Sequence, residues 1–222
     1  MADFYATLAR DAAAEVEIKR SRFLATATRV ESEAAAREVV AQARRDHWDA
    51  RHHCSAFVLG PRAEVQRSSD DGEPAGTAGA PILEVILGHQ LSDVVVVVTR
   101  WFGGVLLGTG GLVRAYSESA AAALTEAGVR RRALVAEYAV ELEHGRAGRV
   151  ESDLRARGIE VLGAEYASAV TLRIGVPAGE AGDLPALLSA LTGSPMEPQP
   201  LGTRWADLAG PMSGTRARSL PA

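Results

Sequence analysis

Five consecutive valines, Val94 to Val98, constrain this chain more than any other segment. With apolar β-branched side chains on both sides of the pleat, neither face suits water, and the run predicts a central strand covered on both faces. It continues through Thr99-Arg100-Trp101-Phe102 into Gly103-Gly104-Val105-Leu106-Leu107-Gly108-Thr109-Gly110-Gly111. Beyond it, Leu112, Val113, Tyr116, Ala120, Ala123 and Leu124 recur on one face of a helix that begins near Gly110 and ends at Gly128. A strand, a glycine-rich loop and a helix thus follow in order.

Upstream, Glu15 to Val30 alternates around a basic knot, Lys19-Arg20-Ser21-Arg22, and reads as one bent strand or a strand pair. Ser32 suits the cap of a helix reaching Arg45, in which Ala35, Val39, Val40 and Ala43 repeat at helical spacing. His52 to Leu59 alternates as a strand, placing Cys54, Ala56 and Val58 on one face and His53, Ser55 and Phe57 on the other. Pro61 and Arg62 turn the chain into a short strand, Glu64 to Ser68, and Ala80 to Leu87 is helical with Pro81 in its first turn. After Arg130-Arg131-Arg132 the pattern restarts as strand Leu134–Leu142, helix Arg146–Arg157, strands Ile159–Leu162 and Ala167–Val176, a helix from Pro177, and a weak strand Met196–Leu201. That βαββαβ order is the ferredoxin-like split unit. The expected organisation is an α/β (α+β) chain with domains at 1–130 and 131–201 and a flexible tail at 202–222.

Composition narrows the function classes. The chain has 222 residues, 47% hydrophobic and 23% charged, enough to bury a core, and a net charge of −4 that argues against a generally basic nucleic-acid coat. A local patch stays open, and it would be built from arginine, because Lys19 is the one lysine among 24 basic residues. A single cysteine, Cys54, excludes an intramolecular disulfide framework and a Cys-rich zinc site and fits a reducing cytoplasm. The N-terminus lacks a leader pattern and the valine run is far below the ~20 apolar residues of a membrane span. A soluble cytoplasmic protein is expected, with no membrane partner.

Two segments carry the chemistry. The glycine-rich segment predicts an anion or nucleic-acid site: Gly103, Gly104, Gly108, Thr109, Gly110 and Gly111 let backbone amides approach a phosphate at a helix N-terminus, flanked by Arg100 and Arg114. It is neither a Walker loop nor a dinucleotide fingerprint, since Val113 stands where the third glycine is needed. A tight turn with close helix packing explains the same glycines equally well. The second segment, Ser69 to Thr77, crowds Asp70, Asp71 and Glu73 among glycines and a proline; these acids suit either a solvated turn or, in an enzyme, Mg²⁺ or a general base. His52-His53-Cys54 invites a catalytic or metal reading, but strand parity turns Cys54 inward as a small buried residue, and no catalytic or metal residue is assigned. Trp101 and Phe102, at a strand end, are either core or a contact for a base or a partner.

Three motifs are recognisable together: His47-x-x-Ala50-Arg51-His52-His53-Cys54, Ser69-Asp70-Asp71-Gly72-Glu73-Pro74-x-Gly76-Thr77-Ala78-Gly79, and Val98-x-Arg100-Trp101-Phe102-Gly103-Gly104-x-x-Leu107-Gly108-Thr109-Gly110-Gly111-Leu112-Val113-Arg114-Ala115-Tyr116. They resemble the YigZ/IMPACT family. The resemblance implies an N-terminal domain akin to domain IV of elongation factor G (a ribosomal protein domain-2-like βα fold) and a ferredoxin-like domain akin to its domain V. It also implies regulation of translation, which the eukaryotic branch exerts by binding a protein partner rather than by catalysis. The expectation is a non-enzymatic, translation-linked regulator without a cofactor. It would bind RNA, the ribosome or a translation-associated protein through Arg100, Arg114, Arg20 and Arg22, with Asp70, Asp71, Glu73, Thr77, His52 and His53 as a shaped functional loop and Trp101 and Phe102 as partner contacts. The alternative is a phosphate- or nucleotide-binding enzyme with a small-molecule ligand, using the glycine-rich loop and the Asp70-Asp71-Glu73 loop.

Overall fold

All five valines of the run are fully buried, and they divide by parity: Val94, Val96 and Val98 enter one hydrophobic cluster, Val95 and Val97 another. Burying each valine side chain stabilises the fold by about 1.5 kcal/mol or more, which makes this strand the anchor of its unit. The computed structural model describes residues 4–207. The chain divides into a compact unit ending at Arg131 and a second beginning at Arg132.

The first unit runs β1 (Phe4–Leu8), β2 (Ala12–Ile18), β3 (Ser21–Arg29), α1 (Glu33–Asp46), β4 (His52–Leu59), β5 (Val65–Ser69), α2 (Gly79–Gly88), β6 (Val94–Trp101) and α3 (Thr109–Ala127). The sheet order is β2-β3-β6-β4-β5, antiparallel at every step, so the valine strand is central. Covering differs by face. Ile82 and Ile86 of α2 and Leu112, Tyr116 and Leu124 of α3 pack on the face of Cys54, Ala56 and Val58, whereas Ala36 and Ala43 of α1 pack on that of Phe57 and Leu59. The Ser32 side chain caps α1 by accepting from Ala35 N–H at 3.2 Å, worth about 1 kcal/mol. Glu15 to Val30 is a strand pair rather than one bent strand: Lys19 and Arg20, at φ 48° and 67°, turn β2 into β3.

β1 is not predicted from periodicity. Leu91 supplies its bridge partner, and the Tyr5 hydroxyl donates to the Asp93 carboxylate, so long-range contacts hold it in place.

The second unit comprises β7 (Val129–Leu142), which starts just ahead of the division, α4 (His144–Ala156), β8 (Glu160–Tyr166), β9 (Val170–Pro177), a 3₁₀ turn (Ala178–Asp183), α5 (Leu184–Thr192) and β10 (Gln199–Asp207). Strand order β10-β7-β9-β8 with antiparallel neighbours is the ferredoxin-like arrangement. Two boundaries differ from the sequence reading. The strand predicted from Leu134 already begins at Val129, so Arg130-Arg131-Arg132 lies inside β7 rather than ahead of it. The last strand extends to Asp207, so Gly202 to Asp207 is paired strand rather than tail: Gly202 aligns with Glu137 across a register shift, and Asp207 with Arg132. The remainder of the predicted tail lies outside the described residues.

Candidate functional site

The acidic loop folds inward, and each carboxylate goes to a different place. Asp70 accepts from the N–H groups of Gly76 (2.8 Å), Ala78 (3.0 Å) and Gly79 (2.8 Å), closing the loop onto the start of α2. Burial works against its ionisation, yet these three donors together hold its carboxyl below the usual carboxylate range. Asp71 accepts from the Arg44 guanidinium of α1 and from His53 N–H at 2.6 Å. Glu73, at 8% exposure, receives both Arg100 NH1 at 2.6 Å and the Tyr116 hydroxyl at 2.8 Å on one oxygen. Thr77 is buried and its hydroxyl donates to the Pro74 carbonyl at 2.7 Å. The three carboxylates thus diverge, which gives the Mg²⁺ option of the alternative enzyme reading no shared point to bind at, and no group of three His, Cys, Asp or Glu residues able to hold a metal occurs among the described residues.

Tyr116 and Cys54 extend the buried network. The Tyr116 ring meets Phe23 edge-on at 5.4 Å, and the Cys54 sulfur lies 3.3 Å from its hydroxyl and 3.0 Å from the Asp70 carbonyl. Burial pushes the Cys54 thiol up to about 12 and drives the tyrosine hydroxyl still higher, so neither is a nucleophile at neutral pH. His53 is buried, with Nε2 3.1 Å from the His47 carbonyl; burial, reinforced by the Arg44 charge, lowers its pKa from 6.5. His52 differs. Its Nδ1 is 2.9 Å from the Asp71 carbonyl, an acceptor only, so that nitrogen carries the proton and Nε2 is left 3.9 Å from Glu73 Oε1.

Beside this network opens a cleft of about 360 Å³ whose lining includes Arg51, His52, Glu73, Arg100, Phe102, Leu106, Gly108 and Thr109. All three sequence motifs contribute to it. Gly108, at φ 73°, caps α3 without a side chain, a conformation that favours glycine. The first turn carries no acidic residue, and Thr109, Gly110 and Gly111 precede the first helical bond, from Leu112 N–H to the Gly108 carbonyl at 2.9 Å. Of these, Thr109 lines the cleft, so the positive end of the helix dipole lies at it. Arg100 is 6% exposed and bonds Glu73 through NH1, while its Nε has no hydrogen-bond partner among the described residues.

The other predicted residues take supporting places. Gly103 lies against the β2–β3 turn so closely that a Cβ there would stand 2.0 Å from the Arg20 backbone, and its N–H bonds the Ser21 hydroxyl at 3.1 Å. Arg20 is thereby held beside the glycine-rich loop, and Arg22 lies 3.8 Å over the Trp101 ring. Trp101 is half-buried and donates Nε1–H to Asp49 at 2.9 Å. Gly103, Gly104, Gly110 and Gly111 do not line the cleft, nor does Arg114, which is exposed and five residues into α3. Arg51, Tyr116 and Leu106 carry the site without having been assigned a role from sequence. A lone tyrosine on an otherwise aliphatic helix face is the signal for Tyr116, because its buried hydroxyl requires a partner.

Residues 19–124 match the Impact N-terminal domain and residues 140–194 a domain of unknown function, DUF1949. The chain is similar to the IMPACT family member YvyE of Bacillus subtilis, 43% identical over 64% of this chain and 65% of that protein. Similarity to YigZ of Escherichia coli is 38% over 78% of this chain and 86% of that one. A solved structure of a hypothetical protein is 32% identical, covers 96% of this chain and 100% of its own, and superposes at a TM-score of 0.61. The two-domain translational regulator Yih1, 28% identical over 58% of this chain and 48% of its own, superposes at 0.35, too low to bear on the fold. With motifs, domain order and identity across most of YigZ in agreement, the chain belongs to the IMPACT family.

Proposed function

We propose that this chain is a non-enzymatic, translation-linked regulator that acts in the cytoplasm by binding RNA, free or on the ribosome, at the cleft before α3. One observation carries the reading: the cleft joins Arg51, Arg100 and a helix N-terminus without a side-chain cap, with Glu73 the single acid among its described lining residues. Asp70 and Asp71 would repel a phosphate if they faced it, and both are engaged elsewhere. Glu73 already shares its charge with Arg100. Membership of the IMPACT family supports the link to translation.

The test is sedimentation of the full chain with ribosomes at low and moderate salt, with and without nuclease. Arg51→Ala is the binding variant, since Arg51 is exposed and Arg100 is part of the buried network. Salt-sensitive co-migration that Arg51→Ala weakens is expected, because phosphate contacts release counterions. Migration as free protein at every salt concentration would overturn binding on the ribosome, and failure to retain free RNA at low salt as well would overturn the reading.

One observation favours a second reading. His52 presents Nε2 to the cleft wall with Nδ1 held by a backbone carbonyl, the arrangement of a general base in phosphoester chemistry. Hydrolysis of a phosphoester by the purified chain, lost in His52→Ala with its melting temperature retained, would replace the non-enzymatic reading.

A further inference from the structure

We infer that a second anion site, independent of the cleft, lies between α1 and the β4–β5 edge of the sheet and takes a phosphate group, free or as the terminal monoester of a small molecule. A cavity of about 210 Å³ opens there, and its lining includes Arg37 and Arg44 of α1, Ser55 and Phe57 of β4, and Arg67 and Ser69 of β5. Register puts these groups on one face. Ser69 is paired with Ser55 and Arg67 with Phe57, and residues directly opposite on antiparallel strands share a face. That face is the one on which Phe57 and Leu59 pack against α1. Arg37, Val40 and Arg44 stand three and four positions apart along one side of the helix, and all three line the cavity. The α3 cleft is on the opposite face, that of Cys54 and Ala56.

The ground is a set of donors without acceptors. Ser55 interrupts the apolar row of Phe57 and Leu59, is only 7% exposed, and its hydroxyl has no hydrogen-bond partner among the described residues. A hydroxyl left so at a cavity wall costs free energy that a ligand acceptor removes. Arg67 makes no ion pair among the described residues; its NH1 donates to the Gln66 carbonyl at 2.9 Å and its other donors stay unused. Arg37 meets only Glu33, one turn away in an exposed pair that contributes little and yields to a ligand. Arg44 donates to Asp71 through NH2, which leaves its Nε and NH1 without partners among the described residues. No acid is among the described lining residues. A carboxylate, with two oxygens, is satisfied by a single guanidinium fork. A phosphate monoester brings three terminal oxygens and close to two negative charges, which matches guanidinium and hydroxyl donors arriving from a helix and two strands. The volume lies below the roughly 300–1,000 Å³ of clefts that enclose larger ligands, so it suits phosphate with few further atoms.

The experiment is an NMR titration of the isotope-labelled full chain with inorganic phosphate, glycerol phosphate, glycerol and acetate, at constant ionic strength and up to about 10 mM. The variants are Arg67→Ala, Arg67→Lys, Ser55→Ala and Arg51→Ala, each checked for an unchanged melting temperature. Saturable shifts of the Ser55, Arg67 and Ser69 amides are expected with phosphate, glycerol phosphate or both, and not with glycerol or acetate. Arg67→Ala should weaken affinity on the order of tenfold and Ser55→Ala less, while Arg67→Lys recovers part of the loss and Arg51→Ala has no effect. Tighter binding of glycerol phosphate than of phosphate supports a monoester as the ligand, and binding of inorganic phosphate alone supports the free ion. No saturable shift at these amides with either phosphate, or equal shifts with acetate, overturns the inference. Shifts confined to the His52 and Thr109 amides and lost in Arg51→Ala put phosphate in the cleft, which overturns this second site and leaves the phosphate-binding reading above standing.

Discussion

The Ser69–Thr77 loop and the Phe102–Gly108 loop meet at the same cleft and are built on opposite principles. The first is full of charge and directs it inward: Asp70 closes its own turn, Asp71 joins α1 to β4, and Glu73 is buried with Arg100 and Tyr116. The second has no charged residue and leaves Phe102, Val105 and Leu106 in solvent. Charge density in a sequence therefore does not locate the contact surface here. The charged loop is scaffold, and the uncharged loop faces outward.

Substitutions can break that comparison. The largest effect should come from Arg100→Ala, which strands the buried Glu73 carboxylate and should cost about 3–5 kcal/mol in urea unfolding. Glu73→Ala should cost a similar amount, and the double variant clearly less than the two together, because each single change leaves an unpaired charge. Additive losses, or losses within experimental error, would show that the acidic loop is not scaffold. Gly103→Ala is next: its Cβ would meet the Arg20 backbone, and the overpacking should cost about 1–3 kcal/mol and disturb the β2–β3 turn, seen as altered amide shifts at Arg20 and Ser21.

Asp70→Ala should cost about 1–3 kcal/mol by leaving partly buried N–H donors without their acceptor. Acid provides a finer test of the same loop. For both His53 and Asp70 the folded pKa lies below its ordinary value, so across the window between folded and unfolded values the unfolded chain binds more protons. Stability should therefore fall as pH drops below 6.5 through His53, and fall again below 3.8 through Asp70. A His53→Gln variant should lose the first slope and keep the second in melting temperatures followed against pH. The smallest stability effect belongs to the exposed loop, where Leu106→Ser should change unfolding by less than about 0.5 kcal/mol. Its effect on RNA affinity should be plain, and a large loss of stability instead would mean that Leu106 serves the scaffold.

Much of the scaffold was legible in advance because it depends on local pattern. The valine run demands cover on both faces, the parity of Cys54, Ala56 and Val58 against Phe57 matches the two clusters, and the restart after Arg132 yields the ferredoxin-like order. Where periodicity was weak, tertiary contact decided. β1 is held by Leu91 and Asp93, far along the chain, and β10 extends to Asp207 because β7 offers partners down to Arg132.

The site divides along the same line. Sequence by itself determined which residue types were available: arginine rather than lysine, glycines before a helix, three acids in a turn, and a cysteine on an inward face. Only the tertiary structure decided how they are used. Arg100, named from sequence as a phosphate ligand, bonds Glu73 from 27 positions away, and Tyr116 reaches the same carboxylate from 43. Arg51 and Leu106, 55 positions apart, face one cleft. Local periodicity is set by backbone geometry that each segment carries within itself. The partner of a buried charge is set by which distant segment the packed core brings within hydrogen-bonding distance, and no single segment contains that information.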